Sequence, residues 1–91
     1  MKVFLSKQAS KQLKKVPIDI QKKLAIWTLS VETAGLEETR KIQGYHDEKL
    51  SGNKKDRRSI RLNKAWRAEY YVETDDNGNF VLVVEIHHHD Y

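Results

Sequence analysis

The sequence lacks several residue types and patterns, and each absence excludes a class of protein. It contains no cysteine, which excludes disulfide bonds and thiolate nucleophiles, so any reactive side chain must use an oxygen or a nitrogen. No apolar run is long enough to cross a membrane, and the first residues lack the apolar stretch of a secretory signal. We therefore expect a single cytoplasmic domain, residues 1–91, that has no membrane partner.

Lysine and arginine are also absent from the C-terminal part of the chain, where residues 68–91 hold six acids. Residues 49–67 instead hold eight lysines and arginines against one acid, although the formal net charge of the whole chain is only +4. A block of this density attracts phosphates or an acidic protein surface. A basic loop that is merely solvated is the plainer alternative.

The first half of the chain follows a helical pattern after a short strand at residues 2–5. Ser6 is a suitable N-cap for a first helix, and the single proline, Pro17, ends that helix and can open a second one that Gly35 closes. The apolar stripes of the two helices are Ala9, Leu13 and Val16 in the first and Ile20, Leu24, Trp27 and Val31 in the second. A shorter helical piece at residues 36–42 follows.

From residue 58 onward, apolar and polar residues alternate, which is typical of strands. Residues 75–79 predict a hairpin turn, because Asn77-Gly78 tolerates the positive φ angles that such turns need. Residues 80–86 predict a further strand. The sequence therefore predicts an α+β fold, with an N-terminal strand and a helical hairpin packed on one face of a mostly antiparallel sheet.

Alternation assigns the side chains of these strands to two faces. The predicted helix-facing residues are Ile60, Leu62, Trp66, Ala68 and Tyr70, with Phe80, Leu82, Val84 and Ile86 from the last strand. The predicted open face holds Arg57, Ser59, Arg61, Arg67, Glu69 and Tyr71, with Glu85, His87 and His89 from the last strand. Arginines and histidines would thus share one face, although alternation alone does not fix the register between strands.

Three consecutive histidines, ending in His89, precede Asp90 and Tyr91. Imidazole is the side chain whose ordinary pKa lets it both give and take a proton near neutral pH. Beside a basic block, these residues indicate acid–base chemistry on a polyanion. Metal binding is the alternative for adjacent histidines, but alternation separates His88 from its neighbours, and we expect neither a metal nor a cofactor.

Four short motifs stand out in this second half. They are Lys49-Leu50-Ser51-Gly52, Ser59-Ile60-Arg61-Leu62, Trp66-Arg67 and the ending His89-Asp90-Tyr91. In these motifs and in the order of its elements, the chain resembles the RelE/ParE toxin superfamily, and most of all its HigB and RelE-type ribonuclease branch. The resemblance implies the toxin of a bacterial type II toxin–antitoxin system, an mRNA interferase that cuts messenger RNA, commonly in the ribosomal A site.

The same resemblance implies the partners of the chain. They are a cognate antitoxin that keeps the toxin silent, messenger RNA, and the ribosome with its 16S rRNA. Seven lysines between residues 2 and 23 make a second contact with ribosomal RNA plausible.

Metal-free RNA cleavage needs a base for the 2′-hydroxyl, an acid for the leaving 5′-oxygen, and cations that stabilise the phosphorane. Arg67 is the best candidate for the phosphate clamp, because a planar guanidinium can hold two oxygens at once. Arg61 is the second candidate.

The proton-transfer groups are assigned with the help of the resemblance. It implies Glu48 as the base, with His46 as a competitor for that role, although Glu48 could simply form a surface ion pair. His89 is the expected acid, and Asp90 or Tyr91 would orient it or stack on a base.

The rest of the basic block is expected to contact phosphates without reading the sequence. These residues are Lys49, Lys54, Lys55, Arg57 and Arg58. Tyr45 and Tyr71 are expected to be exposed and to stack on bases, whereas Trp27 and Trp66 are expected in the core.

Two other functions fit the same resemblance. A non-enzymatic toxin of the ParE branch would share the fold and poison DNA gyrase by binding it. An inactive module that only binds RNA or docks an antitoxin is the other possibility. The histidines and acids around the arginines favour the nuclease, because a pure binding module would not need them.

Overall fold

A computed structural model describes residues 1–54 and 56–89 of the chain, and among them it places three α-helices and five strands. In chain order these are β1 (Lys2–Leu5), α1 (Lys7–Leu13), α2 (Ile18–Ala34), α3 (Leu36–Arg40), β2 (Glu48–Lys49), β3 (Arg58–Arg61), β4 (Trp66–Asp75) and β5 (Gly78–His88). Single turns of 3₁₀-helix lie at Gln43–Tyr45 and Gly52–Lys54. The predicted α+β fold is confirmed.

The strands form one sheet in the order β1-β5-β4-β3-β2. β1 runs parallel to β5, and the other three pairs are antiparallel. The two-residue strand β2, which pairs Glu48 with Ser59, has no counterpart in the sequence prediction. At the opposite edge, the Val3 amide of β1 donates to Glu32 Oε2 of α2 at 3.1 Å.

Local signals explain where the helices begin and end. The Ser6 hydroxyl accepts a hydrogen bond from the Ala9 amide at 3.0 Å, which caps α1 as predicted. Pro17 precedes α2, and Gly35 has φ 93°, a left-handed conformation that ends α2 and leads directly into α3. No helix among the described residues is long and apolar enough to span a membrane.

The core lies between the helices and one face of the sheet. Trp27 is fully buried, and its ring centroid is 5.2 Å from that of Tyr70 on β4, so its predicted core position is confirmed. Trp66 is only half-buried and packs against the edge of the core. The buried apolar residues of the sheet are Ile60, Ala68, Tyr70, Val81, Val83 and Ile86, and the buried Leu62 directly follows β3.

The last strand differs from the prediction in the residues that face the helices. Val81, Val83 and Ile86 are buried, so the helix-facing assignment was correct for Ile86 and wrong for Phe80, Leu82 and Val84. The pairing shifts at one point, where Tyr70 pairs with Val83 but the preceding Glu69 pairs with Glu85. Val84 is therefore an extra residue, which forms a β-bulge. The predicted alternation holds after the bulge, but before it the two faces of the strand are exchanged.

The predicted hairpin between β4 and β5 is confirmed. Asp75 pairs with Gly78 across a two-residue loop, and the Asn77 amide donates to Asp75 Oδ1 at 2.8 Å. Gly78 has φ 109°, whereas Asn77 is not in a left-handed conformation, so only the glycine uses its conformational freedom here.

Candidate functional site

The open face of the sheet carries two rows of polar side chains, because residues that pair directly across strands project to the same face. The arginine row consists of Arg61, Arg67 and His87 on β3, β4 and β5. The carboxylate row consists of Glu48, Ser59, Glu69 and Glu85 on β2 to β5. The predicted placement of these arginines and of His87 on one face is confirmed.

Two positive charges oppose each other in the arginine row, an arrangement that is unfavourable without a counter-charge. Arg67 is anchored to the turn between β3 and β4, where its Nη1 donates to the carbonyls of Asn63 at 2.9 Å and Trp66 at 3.3 Å. Arg61 Nε is buried and has no hydrogen-bond partner among residues 1–54 and 56–89. An unsatisfied buried donor costs about 1–3 kcal/mol.

Glu69 is the centre of the carboxylate row, and it is only 4% exposed. Its Oε1 accepts from Arg57 Nη1 at 2.8 Å and lies 3.4 Å from Lys54 Nζ, while its Oε2 lies 2.9 Å from His87 Nε2. Burial acts to raise the Glu69 pKa, but the hydrogen bond from Arg57 and the charge of Lys54 outweigh it and lower the pKa. Glu69 is therefore ionised at neutral pH.

Arg57 links the two carboxylates of this row. Its Nη1 also donates to Glu85 Oε1 at 3.2 Å, and its Nε donates to the Tyr71 hydroxyl at 3.1 Å. The guanidinium carbon lies 5.4 Å from the centroid of the Tyr71 ring. The hydrogen bonds to Glu69 and Tyr71 raise the Arg57 pKa. Arg57 must therefore leave its partners before it can bind a phosphate, and its guanidinium lies over the ring on which a base would stack.

Arg58 belongs to the helix-facing side, because it pairs directly with Tyr70. Its Nε donates to Asp47 Oδ1 at 2.6 Å, and the Tyr70 hydroxyl donates to Asp47 Oδ2. The Asp47 side chain is only 1% exposed. Burial acts to lower the Arg58 pKa, but the hydrogen bond to Asp47 raises it overall. Burial and the bond to Asp47 both raise the Tyr70 pKa. Arg58, which the sequence predicted to contact phosphates, therefore forms a buried ion pair with Asp47 in the structure.

Glu48, one candidate base, lies on the edge strand β2, and His46, the other, lies two residues before it. Both are exposed and line a shallow groove of about 440 Å³ next to α3. His46 has φ 47° at the end of the 3₁₀ turn. Glu48 on β2 is two strands away from Arg67, a separation of about 10 Å between backbones. The structure therefore does not bring the candidate base and the clamp together.

His89, the candidate acid, follows the end of β5, and its amide donates to the Ala65 carbonyl in the turn that anchors Arg67. The preceding His88 is exposed, and its ring packs edge-on against Trp66 at 5.2 Å, which separates it from the open face as predicted. The predicted site residues Lys55, Asp90 and Tyr91 lie outside the described residues.

Tyr45 does not have the exposure that the sequence predicted. It is only 8% exposed and belongs to the core, because the 3₁₀ turn directs it inward. Burial raises its pKa. The prediction of an exposed stacking residue at this position was wrong.

The sequence analysis placed Glu69, Glu85 and His87 on the open face but assigned none of them a role, and in the structure they form one group. Their donor atoms all lie within 4.8 Å of one another, the spacing of a metal site. Arg57 donates hydrogen bonds to both carboxylates, so its guanidinium occupies the position in which a metal ion would bind. One signal in the sequence pointed to this group, because alternation places the acid Glu69 on the same face as Arg61 and Arg67.

Comparison with known proteins identifies this fold. No protein-family model and no curated protein sequence matches the chain. Among solved structures, the chain matches a YoeB/ParE toxin from Agrobacterium tumefaciens with a TM-score of 0.75 and 16% identity, over 99% of this chain and 100% of that one. It matches the YoeB–YefM complex from Staphylococcus aureus with a TM-score of 0.69 and 23% identity, over 100% and 98%.

A third match is the RelBE2 toxin–antitoxin complex from Mycobacterium tuberculosis, with a TM-score of 0.67 and 17% identity, over 96% of this chain and 95% of that one. The chain therefore has the fold of the RelE/ParE toxins, as its motifs predicted. The HigB and RelE-type branch remains a prediction.

Proposed function

We propose that this chain is the toxin of a type II toxin–antitoxin system and a metal-independent endoribonuclease that cleaves messenger RNA on the ribosome. One observation carries the proposal. Arg61 and Arg67 oppose each other on the open face, and the buried Arg61 Nε has no partner among the described residues. Two arginines that are paired on the same open face, one of them with an unsatisfied donor, form a site for a phosphate.

The phosphate of an RNA backbone fits this site better than an isolated anion does. When the 2′-hydroxyl attacks this phosphate in line, the phosphorane that forms carries more negative charge than the starting diester. Fixed cations therefore stabilise the transition state more than the substrate. The anchoring of Arg67 by turn carbonyls fixes one of these cations before the substrate binds. The geometry therefore supports the roles proposed for Arg61 and Arg67.

His89 is the proposed acid, since its backbone is tied to the turn that anchors Arg67. Glu48, or His46 in its place, is the proposed base if the RNA lies across the sheet from β2 to β4, a span of about 10 Å. Asp90 and Tyr91 are proposed to orient His89 or to stack on a base.

The remaining basic residues are proposed to contact the RNA backbone. They are Lys49, Lys54, Lys55, Arg57 and Arg58, with Tyr71 as a stacking residue. The positive block in which they lie attracts messenger RNA and 16S rRNA at long range. Arg57 and Arg58 would bind only after exchange of their present carboxylate partners.

A cognate antitoxin is the proposed protein partner in the cytoplasm. Two of the solved structures with this fold are toxin–antitoxin complexes. An antitoxin with acidic residues would complement the charge of the basic block and could shield the arginine row from RNA.

The test is inducible expression of the wild-type chain followed by mapping of transcript ends in translating cells. We expect cleavage within coding regions and an arrest of translation. Arg67→Ala is expected to lower cleavage by about 100-fold or more, which is typical for loss of one group that stabilises transition-state charge. The control Asp76→Ala removes an exposed charge from the turn between β4 and β5 and is expected to leave cleavage unchanged.

Intact transcripts in cells that express the wild-type protein would reject the proposal. Inhibited supercoiling and a DNA-damage response, with translation initially spared, would assign the chain to the gyrase-poisoning alternative.

A further inference from the structure

His87 occupies the position next to the proposed phosphate clamp. It pairs directly with Arg67 across β4 and β5, so their backbones are about 5 Å apart and both side chains project to the open face. Glu48, by comparison, lies two strands from Arg67. An imidazole on the neighbouring strand is better placed to reach a hydroxyl beside the bound phosphate.

Glu69 determines which nitrogen of His87 carries a proton. Glu69 Oε2 lies 2.9 Å from His87 Nε2, and an ionised carboxylate can only accept a hydrogen bond. The Nε2 of His87 must therefore be the donor, which leaves Nδ1 of the neutral ring with a lone pair. The carboxylate itself is held by Arg57 and Lys54 and is almost fully buried, so its orientation is fixed. These two cations therefore remain on Glu69, in place of the RNA contacts proposed for them above.

We infer that His87 is the general base of the reaction and that Glu69 is its positioning residue. The inference rests on the proposed ribonuclease function and assigns the base to His87 in place of Glu48 or His46. A carboxylate that orients an imidazole and stabilises its protonated form is an established way to build a strong base from histidine.

The proposed step conserves atoms and charge. His87 Nδ1 takes the proton of the 2′-hydroxyl while the 2′-oxygen forms a bond to the adjacent phosphorus. The bond between phosphorus and the 5′-oxygen breaks, and that oxygen takes a proton from the acid, proposed as His89. The products are a 2′,3′-cyclic phosphate and a free 5′-hydroxyl, and His87 is left as an imidazolium paired with Glu69.

The first test compares two neighbouring histidines on opposite faces of β5. In single-turnover assays with programmed ribosomes, His87→Ala is expected to slow cleavage by about 100-fold or more, the range of a lost general base. The matched control His88→Ala is expected to stay within threefold of the wild type, because His88 packs against Trp66 on the other face. Added imidazole is expected to raise the cleavage rate of His87→Ala about tenfold or more, because it replaces the missing base. It would not restore a variant whose fold is damaged.

The second test examines the positioning role directly. In ¹⁵N NMR spectra of the wild-type protein above the imidazole titration, His87 is expected to be the Nε2–H tautomer. Glu69→Gln, which keeps the shape but removes the charge, is expected to produce a mixture of tautomers. It is also expected to slow cleavage by about tenfold or more, with affinity for a non-cleavable 2′-O-methyl RNA within threefold of the wild type.

Each outcome decides between the proposals. Wild-type cleavage that depends on Arg67 but is unchanged in His87→Ala would overturn the inference and leave the ribonuclease function standing. An Nδ1–H tautomer of His87 in the wild type would also overturn it, and this measurement needs no variant that might unfold. Transcripts left intact by the wild-type protein would overturn both the function and the inference.

Discussion

The buried carboxylate of Asp47 offers the sharpest test of how this fold is stabilised. Its side chain is 1% exposed and accepts from Arg58 Nε at 2.6 Å and from the Tyr70 hydroxyl. Asp47→Ala would leave a largely buried guanidinium without its counter-charge and a buried phenol without its acceptor. Breaking a buried pair by removal of one partner costs about 3–5 kcal/mol. For a domain of this size, that loss lowers Tm by at least about 12 °C.

Urea unfolding followed by circular dichroism measures this free energy, and a thermal scan gives the Tm. The control is Glu38→Ala, which removes a carboxylate that pairs with Lys41 at 3.1 Å but has a side chain 64% exposed. An exposed pair contributes at most about 1 kcal/mol. If Asp47→Ala cost no more than Glu38→Ala, the buried pair would not stabilise the fold and the reasoning would be refuted.

Three further predictions concern single residues. Arg61→Met is expected to raise the free energy of unfolding by about 1 kcal/mol, because it removes a buried unsatisfied donor. It is also expected to weaken RNA cleavage, and urea unfolding and transcript mapping check the two effects. Trp27→Ala is expected to cost about 3–5 kcal/mol in urea unfolding, because the ring is fully buried. The raised pKa of Tyr70 means that the folded state favours the neutral phenol. The contribution of Tyr70 to stability is therefore fully present below about pH 10 and is lost as the pH rises above it. In urea unfolding, Tyr70→Phe is expected to lose less stability than the wild type between about pH 9 and 11.5.

Most of the fold could be predicted because strong local signals specify it. Ser6, Pro17 and Gly35 mark the ends of helices through their own backbone preferences, and the structure uses each of them at that place. Alternation along β4 correctly placed Ala68 on the helix-facing side and Arg67 on the open side. Such signals depend on one residue or one strand, and a sequence shows them directly.

The bulge at Val84 could not be obtained from alternation, because it depends on the pairing of two strands. The sequence nevertheless contains a warning of it. Extending the register from the turn, where Asp75 pairs with Gly78, would place Arg67 opposite Ile86 and Ala68 opposite Glu85. An isoleucine on the open face and a glutamate in the core are both unfavourable, and one extra residue in β5 removes both conflicts.

The candidate site was predicted only in part for a similar reason. The arginines were found because their charge and face are local properties. The contact between Glu69 and His87 depends on the bulge, which brings His87 opposite Arg67 instead of Ile86. The buried position of Arg58 depends on its tertiary contact with Asp47, which charge density along the sequence does not reveal.

The hydrogen bond from the Val3 amide to Glu32 has a consequence for the behaviour of the protein at high concentration. A strand at the border of a sheet offers free amides to which a strand from another molecule can add, and this is a common start of aggregation. The Glu32 carboxylate occupies one of these donors and sets a negative charge beside it. A helix side chain thus discourages the sheet from growing into a neighbouring molecule.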